Sequence, residues 1–271
     1  MKTIRVNDYD MHYVDIGSGP PLVLVHGSLG DYRVWSPVMG PMSRCHRVIA
    51  LSLRHFFPEH WDGTGSDFTI PQHVDDLIKF IEALGIGPVD LCGHSRGGHI
   101  AFRLAGSRPD LVRRLVLAEP GGTLDPSLAP ADPSGTPSPA RHYVEAASEK
   151  IAAGDIDGGL RTFKDAIDGE GAWTALPAAE RQLRRDNAFT LLAQTNEQRK
   201  PYSRADAEAI GVPTLFVGGG DTQGQLRVVL EALSKHVPGA GVAMIPDATH
   251  VMFVQQPEAF CEAVLGFLDA D

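Results

Sequence analysis

Six short, predominantly apolar runs constrain this chain more than any other feature of its sequence: residues 22–25, 48–51, 89–92, 115–118, 214–217 and 242–245. A strand with one wet face alternates polar and apolar side chains. A strand that stays apolar is covered on both faces, as in a parallel sheet held between two layers of helix. Helical patterns fill the intervals between the runs. The best marked opens at Thr69-Ile70-Pro71-Gln72, with capping-box spacing and proline in the first turn. Its apolar stripe runs through Val74, Leu77, Ile78, Ile81 and Leu84, and Gly85 ends it. Others begin after Ser95, Gln223 and Pro257, the last carrying Phe260, Val264, Phe267 and Leu268. Alternation of this kind predicts an α/β fold with right-handed crossovers. Residues 3–6 and 11–16 precede it as two strands of a hairpin.

The alternation stops between about Pro120 and Ile210. Six prolines fall in the twenty residues from Pro120 to Pro139, too many for any regular element. Helical patterns follow over 143–153, 160–167 and 178–193, with no apolar strand among them. The expected organisation is a core of residues 1–120 and 211–271, with 121–210 as a helical insertion over the end of the sheet. An independent helical domain fits less well, because the two ends of the insertion must meet at adjacent strands.

Composition narrows the function classes. Of 271 residues, 24 are Lys or Arg and 34 are Asp or Glu, a formal charge of −10, which disfavours nucleic acid and anionic membranes as partners. No apolar run is long enough to span a bilayer, and residues 1–8 lack the apolar region of a secretory signal. Cys45, Cys92 and Cys261 show neither zinc-site spacing nor an even count for a disulfide frame. The expectation is a soluble cytoplasmic protein acting on a small molecule.

The chemistry concentrates at Val89-Asp90-Leu91-Cys92-Gly93-His94-Ser95-Arg96-Gly97-Gly98, where G-x-S-x-G joins an apolar strand to a helix. A strand turning sharply into a helix strains its central residue and lifts that side chain above the sheet, and the flanking residues must be small. The helix start beneath Ser95 offers N–H groups and partial positive charge to an oxyanion. A serine nucleophile needs a base, and the base needs an orienting acid, expected in the order Ser, acid, His. His250 follows the run 242–245 in Asp247-Ala248-Thr249-His250. For the acid, Asp221 follows 214–217 through three glycines and is favoured. Glu119, at the end of 115–118, competes with it, with a pocket wall or an ion pair as its other role. In His26-Gly27-Ser28-Leu29-Gly30, the N–H of Ser28 is expected to join that of Arg96 as the second oxyanion donor. His26 and His94 read as residues that hold loops in place.

On His26-Gly27-Ser28, Gly93 to Gly98, Gly218 to Asp221 and Asp247 to His250, the chain resembles the lid-bearing branch of the α/β-hydrolase superfamily, over about two thirds of its length. The resemblance implies the α/β-hydrolase fold, a cap at 121–210 and cofactor-free hydrolysis of a small to medium ester or lactone through an acyl-enzyme. Carbon–carbon bond hydrolysis, hydroxynitrile lyase-type chemistry and cofactor-free oxygenation use the same triad, and a non-catalytic ligand receptor is a further alternative. Relatives with an aspartate nucleophile, the epoxide hydrolases and haloalkane dehalogenases, are disfavoured by Ser95.

Two places depart from the family pattern. Residues 52–66 are longer, aromatic and histidine-bearing, either a pocket wall or a packed surface loop; His55, Glu59 and His60 make a poor metal site. Arg96 replaces an uncharged residue, to hold a substrate carboxylate or, as favoured, to pair with Glu119. Leu29, His94, Glu119, Phe56, Phe57, Trp61 and Trp173 are the candidate pocket residues. With 14 acidic and 10 basic residues between Gly122 and Ile210, charge there selects no substrate class.

Overall fold

The computed structural model describes residues 1–128 and 142–270. Eight strands form one sheet: β1 (Lys2–Val6), β2 (Tyr9–Ile16), β3 (Pro21–Val25), β4 (Arg47–Leu51), β5 (Val89–His94), β6 (Val112–Ala118), β7 (Thr214–Gly219) and β8 (Gly241–Ile245). Their spatial order is β1-β2-β4-β3-β5-β6-β7-β8. β1 pairs antiparallel with β2 and β2 with β4, and every later pairing is parallel. The β1–β2 hairpin turns on Asn7 and Asp8, both at positive φ (45° and 57°), the conformation that a two-residue hairpin asks of its central residues.

The helices are α1 (Ser36–Met42), α2 (Ile70–Leu84), α3 (Arg96–Ser107), α4 (His142–Ala152), α5 (Ile156–Asp168), α6 (Ala172–Ala175) and α7 (Ala178–Asp186), followed by α8 (Thr190–Asn196), α9 (Arg204–Glu208), α10 (Gln225–His236), α11 (Met252–Gln255) and α12 (Pro257–Leu268). Helix α2 starts where the sequence signals it. Thr69 Oγ1 accepts from the Gln72 N–H at 3.2 Å, and Gly85 closes the helix at φ 62°. The Gln72 side chain does not return the bond; it donates to Asp76 at 2.9 Å.

Alternate residues of each central strand feed opposite layers. Val23, Val25, Leu91, Leu115, Leu117 and Phe216 pack with α2, α3 and α10. Leu22, Leu24, Cys92, Val116, Leu215 and Val217 pack with α1, α11 and α12. Burying each such apolar side chain is worth roughly 1.5–3 kcal/mol.

Helices α4 to α9 lie between β6 and β7 in the chain. The expected helix over 178–193 is two, α7 and α8, separated by Asn187, Ala188 and Phe189. The inserted helices have a small core of their own, in which Val144, Ala147, Leu160, Phe163, Trp173 and Leu191 gather around Leu29 from the sheet domain. Tyr202, Ala207 and Ile210 instead join the layer that holds α2 and α3. Much of the proline-rich stretch lies outside the described residues. Among the described residues no helix is long and apolar enough to cross a membrane.

The chain leaves β3 for β4 on one side and later returns to place β5 on the other, so the direction of winding reverses at β3. Loops leaving β3 and β5 therefore diverge and open a crevice at the carboxyl ends of the strands.

Candidate active site

Ser95 is the single residue between β5 and α3, at φ 51° and ψ −114°. Few L-residues occupy that region, and the strain is held by three backbone bonds. Its N–H donates to Ala118 O at 3.0 Å, and its carbonyl accepts from His99 N at 3.0 Å and Gly121 N at 2.9 Å. The glycines of the motif follow from contact. A Cβ on Gly93 would stand 2.4 Å from the Gly97 carbonyl oxygen, and one on Gly97 would stand 2.2 Å from that of Val25. Gly121 lies against the serine, since a Cβ there would be 3.4 Å from Ser95 Oγ and 3.5 Å from Arg96 N.

His250 is buried on the loop after β8, and its Nδ1 lies 2.7 Å from Glu119 Oε2. A carboxylate at that distance fixes the proton on Nδ1 and leaves Nε2 as the basic nitrogen. Glu119 is fully buried at the tip of β6, and its other oxygen accepts from the Gly219 N–H at 2.8 Å. The expectation that Asp221 would stand beside His250 is corrected here. Asp221 is exposed, and its backbone N–H donates to Ala248 O at 2.9 Å. Backbone crossing explains the exchange. The Ala248 and Thr249 carbonyls press on Gly219, where a Cβ would meet each at 2.4 Å, so the chain passes beneath the histidine loop before reaching Asp221. Glu119, one strand closer to Ser95, occupies the space under His250. It is itself at positive φ, 42°.

His94 holds the same loop from the other side, its Nε2 donating to the His250 carbonyl at 2.8 Å. Burial keeps His94 neutral, its pKa well below the ordinary histidine value. His26 pins the β3 loop to the β4 loop. Its Nδ1 donates to Gly27 O at 2.8 Å, and its Nε2 accepts from Leu53 N at 3.0 Å. Burial lowers its pKa to about 4, consistent with a ring nitrogen that must stay an acceptor.

The inserted helices grip the loop that carries Ser28. Ser28 Oγ donates to Gln194 Oε1 at 2.7 Å, Arg184 Nη1 to Leu29 O at 3.1 Å, and Asn187 Nδ2 to Asp31 Oδ2 at 2.8 Å. Leu29 sits at φ 57°, so this loop is strained as Ser95 is.

Two cavities meet at Ser95, His250, Ser28, Phe163 and Ile167. The first runs past Leu29, His94 and Trp173 to Lys164, Asp168 and Arg184. The second passes Gly121, Thr123 and Tyr143 to Arg199. Of the candidate pocket residues, Leu29, His94 and Trp173 line the first cavity, and Glu119 stands behind His250. Phe56, Phe57 and Trp61 line neither cavity. Phe56 is buried in the sheet core, Phe57 lies under the Arg33 guanidinium at 3.6 Å, and Trp61 stacks on His55 at 4.1 Å. His55 itself bridges Glu59 at 3.1 Å and Asp67 at 2.8 Å, so this loop closes on itself.

Arg96 is paired, but not with Glu119. Its guanidinium forks onto Glu197 with distances of 2.6 and 2.7 Å and lies 4.3 Å above the Phe68 ring. The partner comes from the inserted segment, 101 residues away, beyond the reach of any local pattern. Burial alone would raise the Glu197 pKa, but Arg96 and Arg199 bring it down to about 2.

Sequence reasoning also missed the ion pair Lys164–Asp168 at 2.6 Å, buried in the first cavity, whose Asp168 Oδ1 accepts from Thr249 Oγ1 at 3.1 Å. A signal was present. Leu160, Phe163, Lys164, Ile167 and Asp168 fall at i, i+3, i+4, i+7 and i+8, which puts a charged pair on an apolar stripe. Arg184 and Arg199 gave no such signal.

A family model described as the alpha/beta hydrolase family matches residues 22–263. The (E)-2-((N-methylformamido)methylene)succinate hydrolase of Acinetobacter baylyi is 36% identical over 119 residues, which is 43% of this chain and 44% of that one. The chain thus spans less than half the length of that relative. The sn-1-specific diacylglycerol lipase ABHD11 of Mus musculus is 26% identical, with 92% of this chain and 81% of that one covered. Among solved structures, bromoperoxidase from Bacillus anthracis superposes with a TM-score of 0.81 at 23% identity, covering 99% of each chain, a likeness of fold.

Proposed function

The chain belongs to the alpha/beta hydrolase family, and from that premise we propose that it is a cofactor-independent serine hydrolase cleaving small to medium carboxylic esters or lactones through an acyl-enzyme. The observation that carries the reading is the buried 2.7 Å contact between His250 Nδ1 and Glu119 Oε2, behind a cavity that His250 lines together with Ser95. The named relatives act on chemically unlike molecules, a substituted methylenesuccinate and a diacylglycerol. They support hydrolysis as a class and leave the substrate to be read from the pocket.

In this mechanism His250 Nε2 takes the Ser95 hydroxyl proton as Oγ bonds to the carbonyl carbon. Glu119 holds the imidazole in the tautomer that can accept and stabilises the cation that forms. The N–H groups of Ser28 and Arg96 receive the oxyanion, a contribution of about 2.7–4 kcal/mol per donor. Collapse breaks the carbon–oxygen bond to the leaving group, which takes the proton from His250. Water, deprotonated by His250, then releases the acid and restores Ser95. Residues 121–210 act as the cap that roofs the pocket and, through Gln194, Arg184 and Asn187, steady the oxyanion loop.

A p-nitrophenyl acetate-to-octanoate series at pH 7–8, wild type beside Ser95→Ala, tests this. Turnover is expected in the wild type and absent in the variant, whose fold should survive by circular dichroism. Full activity in Ser95→Ala would sink the mechanism.

A further inference from the structure

We propose that the second cavity is an anion subsite in which Arg199 binds a free carboxylate on the substrate, so that the preferred ester or lactone is an acidic one. This deepens the serine-hydrolase reading and rests on it. Arg199 and Arg96 converge on the single carboxylate of Glu197. Glu197 Oε1 takes Arg96 Nη2 at 2.6 Å, while Oε2 takes both Arg96 Nη1 at 2.7 Å and Arg199 Nε at 2.6 Å. The Arg96 and Glu197 side chains are fully buried and that of Arg199 is 11% exposed. His73, whose Nδ1 lies 3.0 Å from Arg96 Nη2, adds no negative charge; burial and the Arg96 charge keep it neutral. Two guanidinium groups therefore bond the Glu197 carboxylate.

The two arginines use the carboxylate differently. Arg96 is turned to Glu197 in a two-pronged fork, whereas Arg199 spends only Nε on it. Among the described residues, Arg199 Nη2 is buried without a hydrogen-bond partner. Arg199 also lines the cavity shared by Ser95, Ser28 and His250, and no Asp or Glu is among the described residues lining that cavity. A buried, unpaired N–H of a cation is costly in an empty protein and strongly favours an anionic acceptor from a ligand. A planar guanidinium matches a planar carboxylate. The carboxylate-binding role open to Arg96 on sequence grounds thus passes to Arg199, the member of the cluster that faces the cavity.

The test compares substrates that differ only in that charge. Monomethyl glutarate is paired with methyl pentanoate, placing the carboxylate on the acyl side. In the second pair, 4-acetoxybutanoate against butyl acetate places it on the alcohol side. The readout is the ratio of kcat/KM, charged over uncharged, within each protein, which cancels any general loss of activity. In at least one pair the wild-type ratio should be 10 or more, on the order of one charge-assisted hydrogen bond. Arg199→Gln should bring it down at least tenfold, and Arg199→Lys, which keeps the charge without the fork, should fall between. Wild-type ratios near one in both pairs, or a high ratio that survives Arg199→Gln, would overturn the proposal. Calorimetric binding of glutarate is a readout independent of catalysis. It should weaken at least tenfold in Arg199→Gln, and failure of the wild type to bind glutarate would count against the subsite. Turnover of neutral esters without acid preference would reject the subsite alone. Glutarate binding without turnover of any ester would reject the hydrolase reading instead.

Discussion

The tips of β6 and β7 lie side by side, each followed by a carboxylate, and the two have opposite fates. Glu119 is fully buried, gives one oxygen to His250 and the other to the Gly219 N–H, and sits at a strained positive φ. Asp221, reached through Gly218, Gly219 and Gly220, is exposed to solvent. What separates them is the loop carrying His250, which crosses over Gly219 and leaves Glu119 inside and Asp221 outside. A carboxylate at a strand end is therefore only an opportunity. Enclosure, which removes competing water and leaves the histidine as a partner, turns it into a positioned group.

The largest effect is expected of Glu119→Gln. The neutral amide keeps the shape but loses the charge that selects the tautomer, and kcat on p-nitrophenyl butyrate should fall by about 10⁴-fold. A tenfold loss or less, with Asp221→Asn the more damaging change, would reverse the assignment. Next is Glu197, another enclosed carboxylate. Glu197→Gln leaves Arg96 buried beside a neutral group, and should cost about 3–5 kcal/mol, seen as a fall in Tm of roughly 10 °C in a thermal scan.

Enclosure also acts on bases. His26 has a folded pKa of about 4, and His99 one of about 3, both lowered mainly by burial. Below the unfolded value of about 6.5 the unfolded chain takes up protons that the native state refuses. Their contribution is complete above pH 6.5 and is lost as pH falls toward the folded values. For His26 alone the loss should approach about 3 kcal/mol by pH 4, read from guanidinium denaturation midpoints at pH 7, 6, 5 and 4. A flat profile down to pH 4 would contradict neutral, enclosed histidines.

Gly219→Ala sharpens the crossing itself. Its Cβ would push on the Ala248 and Thr249 carbonyls, at roughly 1–3 kcal/mol, displacing His250 from Glu119. Esterase kcat/KM should drop about 10–100-fold, whereas Gly239→Ala in the turn before β8 should not share that loss. The smallest effect belongs to Asp221→Asn, whose exposed side chain should leave stability within about 0.5 kcal/mol and turnover within about twofold.

Much of this molecule is legible along the chain because its signals are local. Apolar runs of strand length, the Thr69 start and Gly85 stop of α2, and G-x-S-x-G between a strand and a helix each express contacts among residues close in sequence. Even the steric need for Gly93 is local, its obstacle being Gly97 four residues on. Tertiary structure decided the rest, where the interacting groups are far apart in sequence. Glu119 meets His250 across 131 residues, Arg96 meets Glu197 across 101, and Ser28 meets Gln194 across 166. A carboxylate at a strand end carries no mark of which loop will later cover it. A guanidinium carries no mark of whether its partner comes from the sheet or from the insertion. The strands, their two-sided burial and the strained serine are legible because short-range sterics and periodic burial are written in neighbouring residues. Only the packing of distant segments decided which acid faces the histidine and which arginine faces the cavity, because burial of charge depends on what closes over it.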